Sequence, residues 1–287
     1  MKKLLLTVLF VSYLNSYAQI PVQEFGFDGT LTNTANTISF MGIDNFVTDR
    51  SGNVKSAQRL NNRALEAVID NLPQGKSART ISIWVKFNEV ASTNYIWGYG
   101  TAYDTEYCGL QQQGVAASKS ELSLISWGAS NDIMVPVPLE KNIWYQYTIT
   151  YEGVMSKIYR DGKLLKYLDG MSRSTKGNIF RLGEINTTVG INADIDDLKI
   201  YDHALTDDQV KELYDSSKPL ISIAKAETKN KKINSTTNDV TNAVKNIEVY
   251  SQGRQIIGNN SMDISDLPEG TYLLKVTRTQ SKKITSK

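Results

Sequence analysis

Acid–base cleavage of a sugar by a retaining glycosidase needs two carboxyls about 5 Å apart across the scissile bond. Along a strand, Glu-x-Asp-x-Glu would supply them, because alternation points all three carboxylates to one side. The chain holds no such run. Asp104-Thr105-Glu106 comes nearest, lacks the third acid and reads as part of a loop. Nucleophilic catalysis has as little to draw on: there is one histidine, His203, and no Gly-x-Ser-x-Gly elbow. A zinc centre needs several His or Cys ligands, and the chain has one of each. Gly98-Tyr99-Gly100 has no following helix and so makes no phosphate loop. This inventory points away from an enzyme.

Aromatic residues offer a different chemistry. Tyr95, Trp97 and Tyr99 alternate, which predicts a shared strand face, and Tyr103, Tyr107 and Trp127 follow. Sugar rings stack on flat aromatic faces, and Tyr and Trp add a polar handle. The six residues are candidate ligand contacts. The same pattern also fits a packed core with aromatic edges, which is the stronger reading.

The elements that must position these groups read as strands. In Tyr145 to Tyr151 apolar and aromatic residues alternate with polar ones, and Glu152-Gly153 and Asp161-Gly162 interrupt the run as tight turns. Thr80 to Phe87 sets Ile81, Ile83, Val85 and Phe87 on one side, with Ser82, Trp84 and Lys86 on the other. Strands at this spacing predict a β-sandwich. One helix is expected: Thr206-Asp207-Asp208-Gln209 is a capping box with acids at the positive end of the helix dipole. Val210, Leu213 and Tyr214 share its apolar face, and Ser216-Ser217-Lys218-Pro219 ends it. From Lys225 to Ala243 the composition turns to Lys, Asn, Thr and Ser, a linker composition. Short strands around 247–250, 262–264 and 272–276 then predict a small second β unit.

The chain has 287 residues, with 32 Lys and Arg against 30 Asp and Glu. Met1-Lys2-Lys3, the apolar run Leu4 to Val11 and Ser16-Tyr17-Ala18 together read as a cleavable signal peptide over 1–18. The run is too short for a membrane anchor, which needs about 20 apolar residues. Loss of Lys2 and Lys3 brings the mature chain close to neutrality, without the electrostatic footprint that nucleic acid or an anionic membrane would require. An exported chain with one cysteine, Cys108, has no internal disulfide and relies on its core. Cys108 lies in an apolar stretch and reads as a small buried residue.

From Phe25 to Tyr214 several segments stand in a familiar order. They are Phe27-Asp28-Gly29-Thr30-Leu31-Thr32-Asn33, Thr48-Asp49-Arg50-Ser51-Gly52-Asn53, and Thr80-Ile81-Ser82-Ile83-Trp84-Val85-Lys86. Trp144 with 148–151 and Tyr159-Arg160-Asp161-Gly162-Lys163 follow, then Ile195 to Tyr201, Ala204-Leu205-Thr206 and Leu213-Tyr214. This succession resembles the laminin-G-like, concanavalin-A-like jelly-roll family. The resemblance implies an all-β antiparallel jelly-roll sandwich over 20–217 with one short C-terminal helix, and framework roles for Trp84 and Trp144. In that family a structural calcium often ties the opening segment to the closing strand. Carried over, this implies Asp196 as carboxylate, backbone oxygen at Phe27, the side chain of Asn33, and an added oxygen from Asp194. Asn33 stands where many relatives have Asp, and Ala35-Asn36 replaces their Ser-Gly, which removes a charge. A plain backbone-capping role for Asp196 stands beside the calcium reading.

The tail resembles the C-terminal sorting domain of the type IX secretion route. Ile247-Glu248-Val249-Tyr250 with Gln252-Gly253-Arg254 is similar to its central strand and turn. Met262 to Tyr272, with Leu267, Gly270 and Tyr272, is similar to its hairpin, and Lys282-Lys283-Ile284 to its basic end. The usual Tyr-Pro-Asn-Pro opening is absent. The resemblance implies a 218–245 linker, a sorting domain over 246–287 marked by Gly253, Leu267, Gly270, Tyr272 and Lys283, and the outer-membrane export machinery as partner. Together the readings predict a secreted or cell-surface, non-catalytic module that binds glycans or glycoconjugates. A structural or adhesive surface protein, and a hydrolase or lyase with a hidden acid pair, are the alternatives.

Overall fold

The alternating strand at Thr80–Phe87 lies at the centre of one sheet, and the chain wraps around it. The computed structural model describes residues 20–114, 121–128 and 130–219, and the backbone of 245–251, 254–257 and 273–278. The expected leader, most of the linker, and Gly253, Leu267, Gly270, Tyr272 and Lys283 lie outside the described residues. In chain order the strands are β1 (Gln23–Phe25), β2 (Phe46–Val47), β3 (Ala57–Asn61), β4 (Leu65–Val68), β5 (Arg79–Phe87) and β6 (Asn94–Gly100). Next come β7 (Tyr107–Gln113), β8 (Glu121–Ile125), β9 (Ile133–Pro136), β10 (Trp144–Glu152), β11 (Met155–Arg160) and β12 (Lys163–Leu168). β13 (Ile179–Leu182), β14 (Glu184–Ile185), β15 (Thr188–Val189), β16 (Asn192–Tyr201) and the helix α1 (Asp207–Ser217) complete the first unit.

The large sheet runs β12-β11-β10-β5-β16-β3-β2, with β1 also paired to β16. The second sheet runs β4-β13-β6-β7-β8-β9. Every pairing is antiparallel, as the jelly-roll sandwich requires. Asp161 and Gly162 both take positive φ, 53° and 72°, and join β11 to β12 in the two-residue turn their types favour.

Between the sheets, Ile81, Ile83, Val85 and Phe87 of β5 meet Trp97, Tyr99, Leu110 and Phe180 from the opposite side. The Phe180 ring stacks on Trp97 at 5.8 Å and on Tyr99 at 5.9 Å. Cys108 is 2 % exposed within the same core, where burial pushes its thiol up. That chemistry suits packing and not reactivity.

On the outer side of the large sheet, α1 covers Tyr159 and Tyr201 with Leu205 and Val210. Thr206 and Gln209 form the full reciprocal cap, at 3.3 and 2.8 Å. Trp84, at β5, lies under the helix end: it stacks on Tyr214 at 5.7 Å and donates to Ser217 Oγ at 3.2 Å. Trp144 is half-buried beneath Lys86, whose Nζ lies 5.1 Å from its ring centroid.

The chain divides into Met1–Ser222 and Ile223–Lys287. In the second unit β17 (Lys245–Ser251), β18 (Arg254–Ile257) and β19 (Leu273–Arg278) form an antiparallel sheet in the order β18-β17-β19. The expected strand at 262–264 lies outside the described residues.

Candidate functional site

A cross-strand row on the outer face of the second sheet brings together residues far apart in sequence. Glu66 on β4 pairs with Arg181 on β13, Arg181 with Gly98 on β6, Gly98 with Gly109 on β7, and Gly109 with Ile125 on β8. The two glycines leave a flat floor, and the Tyr107 ring lies across it. A Cβ at Gly109 would come within 2.8 Å of that ring, and one at Gly98 within 2.9 Å of it and against its hydroxyl. Tyr107 packs with Ile125 and Ile185, and Tyr95 and Trp127 flank it, Trp127 at 5.6 Å between centroids. The short hairpin of β14 and β15 closes over Tyr107, whose hydroxyl accepts from the Asn186 amide at 2.9 Å. Burial pushes the phenol up to about 12.

The six aromatic candidates therefore separate. Trp97 and Tyr99 are fully buried and point into the core, so the expected shared face with Tyr95 does not form. The physical reason is a β-bulge: the register of β6 against β7 shifts between Tyr95 and Trp97, which turns Tyr95 outward and the other two inward. Tyr107 is on the outer face but fully buried under the hairpin. Tyr95 and Trp127 keep partly exposed edges on either side of it, and Tyr103 is 67 % exposed on the preceding loop. The structure thus unites Tyr95, Tyr107 and Trp127 and removes Trp97 and Tyr99 from any ligand surface.

Charge enters the face through an ion-pair cluster. Arg181 Nε lies 2.7 Å from Glu66 Oε1 and 3.2 Å from Glu184 Oε1. Burial and the neighbouring Glu66 carboxylate push Glu184 up, against the pull of Arg181. No local motif marks these residues, since Glu66 and Arg181 stand 115 positions apart. Asp104 and Glu106 lie on a loop; Asp104 accepts from Asn131. His203 is half-buried, with its Nδ1 3.0 Å from Asp202 Oδ1.

The expected calcium ligands are engaged with other partners. Asp196 and Asp197 both hold the guanidinium of Arg50, so a cationic side chain stands where calcium would be expected. Burial and the Asp197 charge push Asp196 up to about 8, with Arg50 opposing them. Arg50 also donates to the Ser217 carbonyl at 2.8 Å and lies 4.7 Å over Trp84. Asn33 Oδ1 accepts from the amides of Thr37 and Ile38 at 2.8 and 3.1 Å, and its Nδ2 donates to Gln23 at 2.8 Å. Phe27 is buried with φ 54°. Asp194 is fully buried against Arg59 at 2.6 Å, Lys86 at 2.8 Å and Asn88 at 3.1 Å. Among the described residues no three His, Cys, Asp or Glu side chains gather as a metal site.

Burial works to raise the Asp194 carboxyl, but the hydrogen bonds from Arg59, Lys86 and Asn88 outweigh it and hold the group low. Its stabilisation is complete above about pH 4, the unfolded-state value. It is lost as pH falls through the lower folded-state value. Urea midpoints of the native chain should fall below about pH 4, and Asp194→Asn should start lower and respond less. Parallel curves for the two would contradict the assignment.

A groove of about 380 Å³ lies on the other sheet, lined by residues that include Glu152, Lys157, Leu205 and Asp207. Two of its charges are matched, since Asp207 takes Lys157 at 2.6 Å and the Tyr159 hydroxyl at 2.7 Å, while Glu152 and Asp208 have no ion-pair partner among the described residues.

The family model described as the concanavalin A-like lectin/glucanases superfamily, a laminin-G type, matches residues 61–211. The chain belongs to this superfamily. Among solved structures, domain 4 of a GH43 extracellular arabinanase from Geobacillus stearothermophilus, in complex with arabinotriose, is 21 % identical. That match has a TM-score of 0.55 and covers 68 % of this chain and 98 % of that one. The binding domain of botulinum neurotoxin serotype D is 12 % identical, with a TM-score of 0.53 over 69 % of this chain and 51 % of that one. The serotype G binding domain gives 17 % and 0.51, over 68 % and 50 %. The chain thus spans about half of each neurotoxin domain, and at these identities the likeness is one of fold. Comparison with curated proteins gives no match. Superfamily membership accounts for the jelly roll but leaves the ligand and the reaction, if any, to the site.

Proposed function

We propose that the chain is an exported, non-catalytic carbohydrate-recognition module that takes a glycan or glycoconjugate on the outer face of the six-stranded sheet. The observation that carries this reading is the pair of partly exposed rings, Tyr95 and Trp127, set on the buried Tyr107 beside Arg181. Tyr95 on β6, and Trp127 just past β8 and packed on Tyr107, give a sugar an apolar stacking surface at little entropic cost. Arg181 and Glu66 add directional donors and acceptors for hydroxyls. Complex formation with arabinotriose by the arabinanase domain supports the class of ligand.

A hydrolase reading draws on Glu66 and Glu184, two carboxyls on one face with Glu184 pushed up. Arg181 bridges them through a single nitrogen and so stands in the gap a scissile bond would need. Affinity electrophoresis against soluble arabinans, xylans and glucans, with a reducing-end assay on the same mixtures, separates the readings. Retardation with no new reducing ends is expected. Release of reducing ends, or no retardation in any polysaccharide, would overturn the proposal.

The tail motif supports export by the type IX route, with 246–287 as the sorting domain and the outer-membrane machinery as partner, and a module working outside the cell follows from that reading. Deleting 246–287 should leave the protein in the periplasm, as read by fractionation. Undiminished surface display or secretion would refute this half of the proposal.

A further inference from the structure

Two arginines are sealed between the sheets. Arg79 opens β5 and Arg173 comes from the segment after β12; each is 1 % exposed. Their guanidinium carbons lie 5.0 and 5.8 Å from the centroid of one ring, that of Tyr151. Arg79 is fully engaged, with Nη2 on the Gly75 carbonyl at 2.6 Å, Nε on the Ser77 carbonyl at 3.1 Å and Nη1 on the Tyr99 hydroxyl at 2.9 Å. Arg173 is not. Its Nε donates to Ser156 Oγ at 2.8 Å, while Nη1 and Nη2 have no acceptor among the described residues. Neither arginine takes part in an ion pair with a described carboxylate.

A buried lysine in this position could lose its proton. A guanidinium does not, and an unpaired buried charge costs several kcal/mol, a large share of a domain's stability. The chain's own anions are poor partners here. Burial pushes the Cys108 thiol and the Tyr99 phenol up, so both stay neutral. Asp132, the acid whose charge reaches Arg173, accepts from the Ser126 amide at 2.7 Å. Other buried donors lie in the same chain segment. Among the described residues the buried Ser172 and Thr175 hydroxyls have no partner, and Thr175 pairs in a bridge with Gly75, the residue whose carbonyl Arg79 holds.

We propose that this end of the sandwich binds a small inorganic anion of halide size. The ion is held by Arg173 Nη1 and Nη2, with the Thr175 and Ser172 hydroxyls as further donors and Arg79 as a second positive charge. Arg173 and Thr175 are each 1 % exposed, so their free donors face the interior and a compact ion suits them better than a large one. This site lies between the sheets and does not depend on the sugar-binding reading.

The test compares thermal unfolding of the full chain in sodium chloride and in sodium gluconate at equal ionic strength. An ion bound only by the folded state raises Tm by mass action. The expected result is a Tm several degrees higher in chloride, rising to saturation, and absent in Arg173→Met, whose unbranched apolar chain replaces the charge. Because Arg173→Met can fail to fold, a crystal of the unaltered protein soaked in sodium bromide gives a second reading. An anomalous peak at hydrogen-bond distance from Arg173 Nη1 and Nη2 is expected. Equal Tm in the two salts, chloride dependence retained in Arg173→Met, or no anomalous peak there would each overturn the proposal.

Discussion

Trp97→Ala should remove about 3–5 kcal/mol of stability, the usual cost of emptying a large aromatic site in a core. Trp97 is fully buried, and its ring lies at 18° to Phe180, which also carries Tyr99 and meets Phe40. Truncation opens a space at the junction of β6 and β13, beside a Phe180 ring that Tyr99 and Phe40 hold in place, which limits collapse. The buried Trp97 Nε1 atom has no partner among the described residues, so its loss returns a small part of that cost. The measurement is the urea midpoint by far-ultraviolet circular dichroism at constant slope. A midpoint unchanged within error would contradict the packing. Molecules that remain folded should keep full ligand affinity, because the ring never reaches the surface.

Trp127→Ala should do the reverse. Trp127 is partly exposed, holds φ 66° and rests against Tyr107 at an angle of 59°. Its removal strips the stacking surface but opens no enclosed cavity. Loss of one central aromatic anchor typically costs 2 kcal/mol or more of binding, about 30-fold in Kd. The stability change should stay below about 1 kcal/mol. Tyr167→Ala supplies the control: Tyr167 is 59 % exposed on β12 of the other sheet, and its loss should leave affinity unchanged. Titration of the same oligosaccharide into all three proteins reads the difference. Equal affinity for Trp127→Ala and the unaltered chain would remove the aromatic platform.

The frame of the jelly roll was legible because its signals are local. Alternation at 80–87, the Asp161-Gly162 turn and the Thr206 to Gln209 cap each depend on a few adjacent residues, and all three stand in the structure as read. The site was legible only in part. The bulge between Tyr95 and Trp97 breaks the two-residue period, and nothing in Tyr95-Ile96-Trp97 announces it. One extra residue decides which rings face a ligand. The same limit explains the acids of β16. Period two places Asp194 and Asp196 on one face, but the cations that meet them, Arg59 and Arg50, arrive from 135 and 146 positions away. Register and long-range pairing, not residue type, bring cations to both acids, which engages the expected calcium carboxylates in ion pairs. Arg181 with Glu66 and Glu184 was missed for that reason too.

The central claim is that sugar binds across Tyr95 and Trp127 and leaves unaltered. A crystal structure of the chain with a retarded oligosaccharide tests this most directly. The expected density lies on the outer face of the β6–β7–β8 region, stacked on Trp127, within hydrogen-bond reach of Arg181 or Glu66, with every glycosidic bond intact. Density in the groove beside Lys157 and Asp207 instead, or a cleaved sugar held between Glu66 and Glu184, would contradict it.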